Sequence, residues 1–321
     1  MPQSMSWWVG FHLVILAFLA LDLAVFHRRR HAVSVKEALL WSVFWVAVAL
    51  VFYAGLRLGW IGGFPVADRH PRSLEFFTAY LLEESLSLDN VFVFVVLFRY
   101  FKVAPEYQHG VLFWGVIGAM VMRLGMIVGG LALLQRFEWV LYVFGALLLW
   151  SSWHLWRAHE GEIEPANNPI LRGLRRLVPM TEHYDGRKFF THENGRRMAT
   201  PLFAVLVALE TSDVLFAVDS VPAVLGVTRD PFIAYTSNVF AILSLRTMYF
   251  LIAGIIERFW LLHYGLALLL AVIGAKMTVL HYFGIELSVS VSLGLIAALL
   301  GGSMVASLYF KQPGKKAADA A

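Results

Sequence analysis

The run PLFAVLVALETSDVLFAVDSVPAVL (201–225) is long and apolar enough to cross a bilayer, yet it carries Glu210, Asp213 and Asp219, the last followed by Ser220. A spanning helix needs about 20 mostly apolar residues. Each charge at the centre of such a helix costs roughly 2.5–3.5 kcal/mol. A second run, LLEESLSLDNVFVFVVLF (81–98), repeats the arrangement with Glu83, Glu84 and Asp89, followed by Asn90. Two matched acidic clusters inside membrane-like helices point to an ion or proton path.

The rest of the chain agrees with a bilayer. It is 59% hydrophobic and only 15% charged, against about 25% charged in soluble domains. Its 11 Trp suit interfacial belts. There is no cysteine, so thiolate metal sites and thiol catalysis by its own side chains are excluded. No Walker loop, nucleophile elbow or dinucleotide fingerprint occurs, and no nucleophile–base pair suggests an enzyme. No basic run interleaved with aromatics suggests nucleic acid as a partner.

The expected fold is all-α: a polytopic bundle of nine transmembrane helices near 7–26, 37–56, 74–98, 109–134, 137–156, 200–223, 231–254, 261–281 and 287–309. The chain divides accordingly into two N-terminal helices (1–56), an outer loop (57–73), a three-helix unit (74–156), a cytoplasmic connector (157–199), a second three-helix unit (200–283), a last helix (284–310) and a disordered tail (311–321). Arg28, Arg29 and Arg30 follow the first apolar run, so that run reads as an anchor and not as a cleavable signal. With the N-terminus outside, 18 Lys and Arg fall on the inner side and 5 on the outer. The positive-inside rule favours this orientation, with the C-terminus in the cytoplasm.

The two units resemble one another. LSLDNVFVF (86–94) matches LFAVDSVPAV (215–224), and a second carboxylate stands six residues before each aspartate, Glu83 before Asp89 and Asp213 before Asp219. Each unit continues into a helix with a central arginine, Arg123 in VMRLGM and Arg246 in LSLRTMYF. RFEWVLYVFGALLL (136–149) then matches RFWLLHYGLALLL (258–270). Three helices is an odd number, so helices 3–5 and 6–8 are expected to be inverted repeats. Secondary transporters of this kind place their site at the midplane between the repeats.

Glu83 and Asn90 share a helical face, and Glu210 and Asp213 are neighbours at i, i+3. Asp219 is off that face on a straight helix, but Pro222 is expected to break the helix and turn it inward. Ser220 and Asn90 add neutral oxygens. An all-oxygen site suits Mg²⁺, Ca²⁺ or Mn²⁺. Six carboxylates face Arg123, Arg246 and Lys276, and the excess negative charge calls for a metal, protons or both. Arg123 and Arg246 read as charge-compensating groups, or as partners that an arriving cation displaces. Glu84 lies one residue off the Glu83 face and is the weakest member. The histidines scatter without metal spacing and receive no ligand role.

At EESLSLDNVFVF (83–94), ETSDVLFAVDSVPA (210–223) and TSNVFAILSLRTMYFL (236–251) the chain resembles the TerC family of bacterial membrane proteins, and most closely its Alx-type manganese exporters. The resemblance extends over about 7–310. It implies an inner-membrane protein exporting Mn²⁺, with Glu83, Asp89, Asn90, Glu210, Asp213, Asp219 and Ser220 at the metal. It does not support Glu84. The first expectation is therefore a Mn²⁺ exporter with protons as counter-ion. The rivals are a metal-binding membrane partner for protein assembly or metal loading, and a Ca²⁺/H⁺ exchanger.

Overall fold

The computed structural model describes residues 4–27, 35–157, 178–193, 195–252, 261–285 and 288–310. Nine α-helices lie among them. They are α1 (Met5–His27), α2 (Val35–Leu58), α3 (Val66–Tyr100), α4 (Pro105–Arg136), α5 (Val140–Arg157), α6 (Pro201–Leu225), α7 (Pro231–Ile252), α8 (Leu262–Ala275) and α9 (Val289–Tyr309). A π-helical turn, Lys276–Leu280, extends α8. A short antiparallel hairpin, β1 (Phe190–Glu193) and β2 (Arg196–Ala199), precedes α6. The sequence reading missed this hairpin inside the connector, of which residues 158–177 lie outside the described residues.

Among the described residues five stretches are apolar and long enough to cross a membrane, Lys36–Leu58, Pro105–Arg136, Pro201–Leu225, Leu262–Leu280 and Ser290–Tyr309. The outward surface is apolar as well. Leu40 and Val51 on α2 are each 70% exposed, and Leu13, Leu16, Trp150, Trp153 and Leu308 also face outward. Polar groups are turned in: Ser73, Thr78, Ser87, Asn238, Ser244 and Arg246 are buried. That distribution is the reverse of a water-soluble protein, and it fits a helix bundle in lipid.

α7 is the central element, buried almost continuously from Phe232 to Thr247. Asp230 starts it by accepting the backbone N–H groups of Phe232 and Ile233 at 3.0 and 3.1 Å, with Pro231 at the first helical position. Its hydroxyls are satisfied within the helix, as when Thr236 Oγ1 donates to the carbonyl of Phe232 at 2.7 Å and Thr247 Oγ1 to that of Ser244 at 2.8 Å. α7 packs chiefly on α3, α2 and α4, α6 packs on α4 and α3, and α5 packs on α8.

Two expectations need correction. α3 begins at Val66, so residues 66–73 are helical and do not belong to a loop. Gly59, Gly62 and Gly63, all at positive φ, complete the turn from α2, and Arg69 closes it by donating to the carbonyls of Phe64 and Leu58. Secondly, α6 runs unbroken through Pro222 to Leu225. Proline removes the one donor that would reach Val218, and the ladder resumes when Gly226 donates to the carbonyl of Pro222 at 2.9 Å.

Candidate functional site

α3, α4, α6 and α7 meet around Arg123, whose side chain is 1% exposed. It comes from the middle of α4, where small and apolar neighbours leave the guanidinium no route to water. Its Nη1 is ion-paired with Glu83 of α3 and donates to Asn238 Oδ1 of α7 at 2.9 Å. Nη2 and Nε reach Asp213 of α6 at 3.1 and 3.4 Å, a two-pronged contact with one carboxylate. Asn90 Nδ2 also points at Asp213 Oδ1, at 3.5 Å. One guanidinium thus serves two buried carboxylates, which leaves a formal excess of one negative charge when all three are ionised.

A cavity of about 220 Å³ adjoins this cluster. Glu83 and Asn90 of α3, Arg123 of α4, Ser151 of α5, and Asp219 and Ser220 of α6 supply its polar lining. A water occupies about 30 Å³ of liquid volume, so the space holds several waters or a partly hydrated ion. Ser151 Oγ of α5 donates to Asp219 Oδ1 at 2.6 Å. Thus Asp219 turns toward α5 on an intact helix, without the break that the sequence suggested. Asn90 Oδ1 and Ser220 Oγ are buried, and neither has a hydrogen-bond partner among the described residues.

Glu210 occupies a third compartment. Its carboxylate lies against Gly118 of α4, where an added Cβ would collide with it. With Asp213 and Arg246 it lines a small void of about 20 Å³, room for one water at most. Arg246, 2% exposed, also stands 6.0 Å from the ring of Phe113. Glu84 faces α7, with the Ser244 hydroxyl 2.7 and 2.6 Å from its two oxygens. Asp89 is on α3 one residue before Asn90, and its side chain lies outside the described residues.

The sequence-predicted residues are therefore spread over adjacent compartments and do not converge on one point. Glu83, Asn90 and Asp213 gather on Arg123, Asp219 and Ser220 face the cavity, and Glu210 sits behind Asp213. Among the described residues no three His, Asp or Glu side chains are grouped to hold a metal ion. Arg123 stands between Glu83 and Asp213, where a cation would otherwise balance them. Asn238, Ser151, Gly118 and Ser244 were not anticipated. Asn238 had a visible signal, an amide inside the apolar run TSNVFAIL (236–243).

Buried charge, held between outward-facing apolar helices beside a polar cavity, defines an integral membrane protein with a charged interior. The chain matches the model of the family described as "Integral membrane protein TerC family" over residues 69–315. It belongs to the TerC family. It is 48% identical over 301 residues to the uncharacterized membrane protein STKORF319 of Myxococcus xanthus, covering 94% of this chain and 91% of that one. It is 47% identical over 296 residues to Alx of Escherichia coli strain K12, named as a candidate membrane-bound redox modulator, with 91% of each chain covered. A membrane protein of Rickettsia bellii is 37% identical over 294 residues, covering 92% of this chain and 95% of its own. No solved structure matches the chain.

Proposed function

We propose that this protein is a secondary transporter that exports a divalent cation, foremost Mn²⁺, across the bacterial inner membrane. The carrying observation is Arg123, buried between Glu83 of one three-helix unit and Asp213 of the other, beside a cavity lined by Asp219, Ser220 and Asn90. A guanidinium there stands in for the cargo. When the ion arrives through the cavity, it takes over the carboxylates from Arg123, and the two units rock. Protons returning through Glu83 or Glu210 drive the cycle. Asp89 joins the ligands, and Arg246 compensates the charge around Glu210.

The helix packing supports inverted repeats. If α3, α4 and α5 exchange with α6, α7 and α8, the contact of α3 with α7 becomes that of α6 with α4, and both are extensive. The contacts of α5 with α8, α4 with α7 and α3 with α6 map onto themselves. Nine spans, with the N-terminus outside and the C-terminus inside, complete the architecture. The preference for Mn²⁺ and for export rests on the family resemblance. The chain has no cysteine, so a redox role of the kind in the relatives' name would run through the ion carried.

Sealed vesicles containing the purified protein test the reading. Mn²⁺ flux should exceed that of empty vesicles, and Asp213→Asn and Asp219→Asn should each abolish the excess. Flux unchanged by both substitutions contradicts the site. Binding without flux favours the metal-binding partner, and Ca²⁺ flux exceeding Mn²⁺ flux favours the exchanger.

A further inference from the structure

The cavity contains a group that the mechanism above does not use. His154 of α5 is exposed at its rim. The imidazole stacks on Trp150 one turn earlier, with centroids 5.7 Å and planes 16° apart. Ser151, three residues before His154 and so on the same helical face, holds Asp219 at 2.6 Å. One turn of α5 therefore carries both the imidazole and the hydroxyl that orients the carboxylate. The same space is lined by Asn90 and Ser220, whose Oδ1 and Oγ are buried and without partners among the described residues. A buried oxygen acceptor without a donor costs free energy, and a cation in the cavity would satisfy it.

We propose that His154 is a nitrogen ligand in a docking site for the divalent cation, with Asp219 as the charged oxygen ligand and Ser220 and Asn90 as neutral ones. The inference rests on reading the chain as a divalent-cation transporter. Oxygen ligands alone serve Mg²⁺, Ca²⁺ and Mn²⁺ alike, whereas an imidazole nitrogen adds affinity for first-row ions, least for Mn²⁺ and more from Fe²⁺ to Zn²⁺, and separates them from Mg²⁺ and Ca²⁺. His154 thus sets selectivity at the mouth of the cavity, before the ion meets Arg123. Stacking on Trp150 holds the ring at the rim, and coordination uses its neutral form.

Two measurements on the purified full-length chain with Mn²⁺ alone, Mg²⁺ alone and Ca²⁺ alone test this. Pulsed electron paramagnetic resonance of bound Mn²⁺ should show coupling to an imidazole nitrogen, and His154→Ala should remove it. His154→Ala and His154→Gln should each weaken Mn²⁺ binding at least about tenfold, since even outer-shell partners of a metal are worth that much. Mg²⁺ and Ca²⁺ affinities should stay as they are. Bound Mn²⁺ without nitrogen coupling overturns the inference and leaves the transport reading standing, as does coupling that survives His154→Ala. Equal weakening for all three ions does the same. No divalent binding by the wild-type protein removes both, whereas nitrogen-coupled binding without vesicle flux keeps the ligand and removes the transporter.

Discussion

Arg123 is the residue on which the interior depends. Removing one partner of a buried ion pair costs about 3–5 kcal/mol, because the other charge is left without compensation. Arg123→Met should therefore lower the melting temperature in detergent sharply. Neutralising both carboxylates in that background, with Glu83→Gln and Asp213→Asn, should recover much of the loss. If the triple variant melts no higher than the single one, Arg123 is not acting as a counter-charge. Gly118→Ala gives a separate reading of Glu210: the new Cβ strikes the end of a flexible side chain, so the fold should hold while Mn²⁺ flux falls. Unchanged flux would remove Glu210 from the path. The polar residues of the site were legible because apolar surroundings make each one conspicuous. Their partners were not, since helix periodicity sets which residues share a face and not which helix that face meets. Ser151 lies far along the chain from Asp219, and Asn238 from Arg123, and a serine in a membrane helix is ordinary.

At the scale of elements, helix existence followed from apolar length, and helix ends did not. Pro65, Pro105, Pro201 and Pro231 stand at or just before helix starts, which the apolar runs place only roughly. Pro222 misled in the opposite direction, because one missing donor near a helix end is absorbed without a break. The seam between α5 and α8 also escaped the sequence reading. A Cβ on Gly145 would stand 2.9 Å from the carbonyl oxygen of Gly274, and one on Gly274 would stand 2.8 Å from that of Gly145. The two backbones touch where small residues permit it, a common way to join helices in lipid. Gly274→Ala should cost about 1–3 kcal/mol, as overpacking does, measured by thermal unfolding in detergent. A neutral result would mean that the seam opens freely.

For the whole molecule, the interchange of packing partners between α3–α5 and α6–α8 carries more than the sequence match did, because it involves contacts between the units. It fits a pseudo-two-fold relation between the units, and three spans per unit, an odd number, would make them cross the membrane in opposite senses. With nine spans the two termini then lie on opposite sides. The cysteine-free chain makes this easy to examine with Ser4→Cys and Ala318→Cys. A membrane-impermeant maleimide should label the first in intact spheroplasts and the second only after permeabilisation. Labelling of both from one side would show an even number of spans and end the nine-span account.

The most direct test is an experimental structure of the protein with Mn²⁺. We expect the ion between Glu83 and Asp213, with Arg123 withdrawn from both carboxylates. Arg123 still bridging Glu83 and Asp213 at saturating Mn²⁺, with no ion in the cavity or beside them, would contradict the exchange of arginine for cargo.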